Sequence, residues 1–180
     1  MKDKNIVEYT MHTGRLHLYT FLMVFPLLML TIWPFLLIWD KQLLISGWEP
    51  FYTFFIPVLL AGIIMHELLH GVGWSFFLPD GMRSVKFGVN WKFLAPYCHC
   101  KRPMKVRHYR VGAALPLVIL GILPVLAGIA LGKSSFLFFG ILFTWGAGGD
   151  IMSLTMLSKL EKECIVYDHP DKPGFYIKKE

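Results

Sequence analysis

Four long apolar stretches, at about residues 16–39, 51–77, 111–131 and 136–157, constrain this chain more than any other feature. Each is long enough to cross ~30 Å of hydrocarbon, which takes ~20 residues of helix. Backbone in lipid must satisfy its own hydrogen bonds, so helix is the form open to such runs. The other way to hide them is as buried helices of a water-soluble protein. Composition decides against that. Only 17% of the 180 residues are charged and 55% are hydrophobic, whereas a soluble domain carries about 25% charge. The expected fold is an all-α membrane protein. It is one integral membrane domain over residues 1–180, with about four transmembrane helices and the lipid bilayer as its first partner.

The positive charges give that bundle an orientation. Of the 18 Lys and Arg residues, 16 lie before the first stretch, in the loop over about 79–110, or in the tail over about 159–180. Only Lys41 and Lys133 fall in the other two loops. By the positive-inside rule, both termini and the long loop face the cytoplasm of a multi-pass cell-membrane protein. The net charge of +6 does not point to nucleic acid, because the basic residues flank apolar runs and form no solvated basic face. The first stretch is longer than a signal-peptide core and lacks a small-residue cleavage site, so it is expected to remain as a membrane helix. The three cysteines, Cys98, Cys100 and Cys164, form no disulfide framework and are expected to stay reduced.

The long loop has a pattern of its own. Residues 84–89 alternate apolar Val85, Phe87 and Val89 with Ser84, Lys86 and Gly88, which is strand periodicity. Asn90 marks a turn, and 92–100 can return as a second strand. This small β-hairpin is expected at the membrane surface rather than dipping toward the helices, since open strand edges are costly in lipid. Pro116 and Pro124 are expected to kink the third helix. Gly128 and Gly132 form a GxxxG suited to close helix packing.

Chemistry concentrates in the second stretch, at His66-Glu67-Leu68-Leu69-His70. Residues four apart share a helix face, so two imidazoles can bind one Zn2+ ion while Glu67 acts as base toward the metal-activated water. The chain's own composition gives about 0.01 such matches by chance. Ionisable residues inside a membrane helix are expensive and usually functional; the plainer alternative is that both histidines only hydrogen-bond to neighbouring helices. A catalytic zinc takes three protein ligands and an open position. The carboxylate at hand in another helix interior is Asp150. His66 lies ~22 Å and Asp150 ~21 Å from the outer ends of their stretches at 1.5 Å per residue, so the two arrive at similar depth. Gly146, Gly148 and Gly149 before Asp150 suit either helix packing or the close approach of a substrate strand.

Other candidates carry less. Cys98-His99-Cys100 offers soft donors, but with no partner pair at ligand spacing a turn or hairpin role is favoured over metal binding. His108 reads as an interfacial histidine. His12 and His17 carry no motif. Asp168 and His169, in a turn-rich tail, read as surface residues that dock on the loop.

HELLH in a membrane helix, Pro96-Tyr97-Cys98-His99-Cys100 in a basic loop, Gly-Gly-Asp150-Ile in a later helix, and the tail Asp168-His-Pro-Asp-Lys-Pro-Gly-Phe together resemble a family. It is the zincin peptidase family of small membrane proteins, formerly a domain of unknown function. The resemblance covers about residues 51–177, and that family resembles the site-2 proteases at a distance. It implies His66, His70 and Asp150 as zinc ligands and Glu67 as general base. The pattern departs from site-2 proteases in two ways: glycines precede the aspartate instead of following it, and no Asn-Pro accompanies it.

The function expected is an intramembrane zinc metalloendopeptidase. Its substrate would be a membrane-embedded or membrane-adjacent protein segment that unwinds near the cytoplasmic side. The rivals are a membrane protein with a structural or regulatory zinc site, which needs no base, and a metal-ion transporter, which would need to be an oligomer to build a path from four helices. The sequence leaves the oligomeric state open.

Overall fold

A computed structural model describes residues 6–91, 95–170, 172 and 174–178. The return of the hairpin at 92–94 lies outside the described residues.

The chain opens with strand β1 (Ile6–Thr10), and His12 then caps α1 (Thr13–Ile38) by accepting the Gly14 amide. Two short helices, α2 (Lys41–Ser46) and α3 (Trp48–Thr53), lead into α4 (Phe55–Ser75). A short 3-10 turn (Gly81–Ser84) precedes the hairpin of β2 (Val85–Asn90) and β3 (Ala95–Cys100). After β4 (Met104–Lys105) come α5 (Val106–Pro116), a π-helical segment (Leu117–Ile122) and α6 (Leu123–Leu131). The bent pair α7 (Ser134–Gly146) and α8 (Gly148–Ser158) follows, then β5 (Ile165–Asp168) and β6 (Gly174–Lys178).

The protein is mostly helical, and it has the helices of a membrane protein. Three are long and apolar enough to cross a bilayer: Gly14–Ile38, Phe55–Ser75 and Val106–Leu131. The fourth expected stretch is not one straight helix. α7 and α8 meet at an angle of 56°, where Gly146 and Gly148 flank Ala147 and weaken the helix. The second stretch also differs from expectation. It begins at Phe55, because residues 41–53 fold into two separate short helices. The third starts five residues earlier than expected, at Val106. Between its two prolines the ladder shifts to π-helix, which absorbs the donors that proline lacks.

The all-α expectation needs a second correction. A four-stranded antiparallel sheet, in the order β1-β6-β5-β4, ties the two ends of the chain to the start of α5. Tyr9 pairs with Phe175, Val166 with Ile177, and Met104 with Val166. The sheet exists because Val166, Phe175 and Ile177 have an apolar core to enter. That core holds Trp74, Leu78, Val85, Cys100, Met104 and Val106, at the end of the bundle where α4 stops and α5 starts. A smaller core of Phe35, Val125 and Leu137 lies elsewhere among the helices. Much of α1 keeps its apolar side chains outward, with Leu30 and Leu37 more than 70% exposed, as lipid-facing helices do.

The glycines of the GxxxG divide their work. Gly128 lies against the Leu137 backbone, where an added Cβ would meet its N at 2.6 Å, while Gly132 caps α6 in the left-handed conformation at φ 65°.

Candidate metal centre

The structure brings His66, His70 and Asp150 together. The imidazole Nε2 of His66 lies 3.0 Å from Asp150 Oδ2, and that of His70 lies 3.3 Å from Asp150 Oδ1. Ligand atoms of all three fall within 4.8 Å of one another. Among the described residues, this is the one group of three or more His, Cys, Asp or Glu so gathered. Two helices supply it: the motif turn of α4, and the first turn of α8 just past the bend. His70 is buried, and His66 and Asp150 are half-buried.

The local sequence explains how His70 is held. Its Nδ1 lies 2.9 Å from the carbonyl oxygen of Gly112. In a regular helix that carbonyl would accept the amide of residue 116. Residue 116 is proline and has none, and the next amide, Leu117, turns to Ala114 instead. The Gly112 oxygen is left for the Nδ1–H of His70, which points the Nε2 lone pair at the gathered group. The approach is possible because Gly73 and Gly112 let α4 and α5 touch: a Cβ on Gly73 would lie 2.6 Å from the Gly112 Cα. Below His70 a stack continues through Trp74, at 5.4 Å, to Tyr109, at 5.0 Å from Trp74. Trp74 Nε1 donates to the Tyr109 carbonyl.

Glu67 faces the hairpin. Its carboxylate lies within electrostatic reach of His70, His66 and Asp150, and of Cys98 on β3. The hairpin therefore packs on the motif helix, contrary to the expectation that favoured the surface over a dip toward the site. Gly71 is the seat that permits this, since a Cβ there would lie 2.5 Å from the Phe87 ring.

The glycines before Asp150 separate cleanly. Gly148 is packed, with an added Cβ falling 2.5 Å from Thr20 Oγ1, whereas Gly146 and Gly149 have nothing within 4 Å of that position. Packing explains the first and leaves open space beside the other two.

The remaining sequence candidates go elsewhere. All three cysteines are free thiols. Cys98 and Cys100 share one face of β3 and pack with the apolar core at the sheet. Burial pushes the Cys98 thiol up, with the nearby Glu67 carboxylate adding to it, and pushes Cys100 to about 11. Among the described residues neither joins a gathered group of three metal donors. His108 stacks on Phe77 with ring centroids 4.3 Å apart. His17 is exposed. His169 is buried, not at the surface as expected, because it stacks on Tyr176. Asp168 does dock on the loop, where it accepts the Cys100 amide at 2.9 Å. Sequence reasoning missed Gly112 and Pro116 as determinants of the site; the proline four residues past a glycine was the available signal.

A family model described as putative zincin peptidase matches residues 59–165, which include the motif and Asp150. No curated protein and no solved structure matches the chain.

Proposed function

The chain belongs to the family described as putative zincin peptidase, and on that footing we propose that it is an intramembrane zinc metalloendopeptidase. The observation that carries this reading is the gathering of His66, His70 and Asp150 within 4.8 Å from two helices, with Glu67 in the same turn as the histidines. Two imidazoles and one carboxylate make a donor set that fits zinc and leaves an open position. His66, His70 and Asp150 would hold the ion. When bound, zinc supplies a Lewis acid and a water of lowered pKa.

The chain's own residues do the rest. Glu67 takes a proton at its carboxylate and returns it to the departing amine. The Gly112 carbonyl fixes the tautomer of His70. Open space beside Gly146 and Gly149 is where a substrate segment comes close to Asp150.

The reading extends to topology. The bent pair α7–α8 counts as a fourth span, broken where the site needs it. The ends of the chain and β4 of the long loop share one sheet, and the excess of Lys and Arg assigns that side to the cytoplasm. A zinc held only for structure has no use for Glu67, and transport needs the ligands more than the base.

The test uses the full chain in lipid nanodiscs, with a set of single-span membrane substrates. Cleavage by the native protein that disappears in Glu67→Gln, with zinc retained, supports peptidase chemistry. Cleavage that survives Glu67→Gln contradicts it, as does a zinc-loaded native protein that cleaves none of the set.

A further inference from the structure

Asp168, in β5, lies beyond both the motif and the family match, yet it reaches the motif through the hairpin. Its side chain is 11% exposed. Oδ2 accepts the Cys100 amide at 2.9 Å and lies 3.0 Å from His99 Nδ1, and Oδ1 accepts the Tyr109 hydroxyl at 2.8 Å. One carboxylate thus joins the tail, the hairpin and the first turn of α5.

The geometry of β3 gives this contact its meaning. Cys100 stands opposite Val85 and Cys98 opposite Phe87 in the ladder with β2. The Lys101 amide points inward to the Ser84 carbonyl. Amides alternate sides along a strand, so those of Cys98 and Cys100 point to its other edge. Asp168 takes the second, and Glu67 lies within electrostatic reach of Cys98. A tail carboxylate therefore pins the free edge of the strand that packs on the motif helix. The connection also closes on the far side. Asp168 bonds Tyr109, Tyr109 stacks on Trp74, and Trp74 stacks on His70.

We propose that Asp168 is a positioning residue, a tail carboxylate that fixes β3 where it packs on α4 beside Glu67. This rests on the reading of Glu67 as base. Without Asp168 the Cys100 amide loses its acceptor, the strand edge loses its tie to the tail and to Tyr109, and the wall beside the Glu67 carboxylate loses its fixed place. The role is one of hydrogen-bond geometry. Asn keeps an acceptor for Cys100 and a group that Tyr109 can meet by turning its hydroxyl, so Asp168→Asn serves as the conservative rescue.

The test is amide hydrogen exchange on the zinc-loaded full chain in detergent, comparing native, Asp168→Ala and Asp168→Asn, with zinc content measured on each. Asp168→Ala is expected to speed exchange in residues 95–101 by about tenfold, the effect of losing one part-buried hydrogen bond. Zinc content and exchange in α4 and β6 should stay native, and Asp168→Asn should stay near native throughout. With a cleavable substrate, Asp168→Ala lowers kcat and leaves KM unchanged. Unchanged exchange at 95–101 in Asp168→Ala overturns the proposal. So does a rise across the whole hairpin and the four-stranded sheet with loss of zinc, which marks a merely structural residue, and so does an Asp168→Asn protein that behaves as Asp168→Ala. Native protein that holds no zinc contradicts the peptidase reading instead, and the exchange comparison still decides whether Asp168 holds β3.

Discussion

Pro116 withholds an amide, and the Gly112 carbonyl it leaves free takes the Nδ1–H of His70. This makes a residue outside the gathered group a determinant of how His70 is oriented. Pro116→Ala supplies an N–H that competes for the same oxygen. The expected result is zinc affinity lowered about tenfold, the low end of what loss of an outer-shell partner costs, measured by competition with a chelator; unchanged affinity would show that His70 keeps its tautomer without this device. The motif itself was legible because HExxH has a fixed spacing and sits in an apolar stretch. Asp150 was legible as an ionisable residue at matching depth. The Gly112 carbonyl was not, since backbone acceptors leave no side-chain signature. Asp168 was read as a tail residue docking on the loop, which it does, but nothing near it in sequence marks Cys100, 68 residues away, as its partner.

Among the elements, the bend between α7 and α8 and the hairpin on α4 shape the site, and their glycines make separable predictions. Gly149 has open space at its Cβ position and Gly148 does not. Gly149→Ala is expected to keep or raise thermal stability, since alanine gains about 1 kcal/mol over glycine in a helix. Gly148→Val should lower it by about 1–3 kcal/mol through overpacking against Thr20. Melting of the two variants in detergent checks both. Gly71→Val pushes on Phe87, and the hairpin should lift from α4, which limited proteolysis between residues 85 and 100 would detect as faster cleavage with the helices intact. The hairpin was visible as alternation in 84–89. The four-stranded sheet was missed although buried Phe175 and Ile177 alternate with half-buried or exposed neighbours, because strands of four or five residues paired from opposite ends of the chain give no local pairing signal. The bend was implicit in the glycines, but an apolar stretch of the right length reads as one straight span.

Across the whole molecule, one end carries the sheet, the hairpin, the larger core and the gathered ligands, while the rest offers apolar helix to lipid. On the proposed topology the positive charges place that end in the cytoplasm. In a chain whose native cysteines are replaced, a single cysteine at Lys178 should label only from the cytoplasmic side, and one at Lys133 only from outside; the reverse pattern would overturn the orientation. The central claim, that two histidines of α4 and one aspartate of α8 hold a zinc ion beside a free base, is tested most directly by zinc stoichiometry. The proteins to compare are the purified native chain, His66→Ala, Asp150→Ala and Glu67→Gln. One zinc per native chain, lost in His66→Ala and Asp150→Ala and kept in Glu67→Gln, is the result expected. A native protein without zinc, or zinc that persists in Asp150→Ala and leaves when Cys98 and Cys100 are replaced, would contradict it.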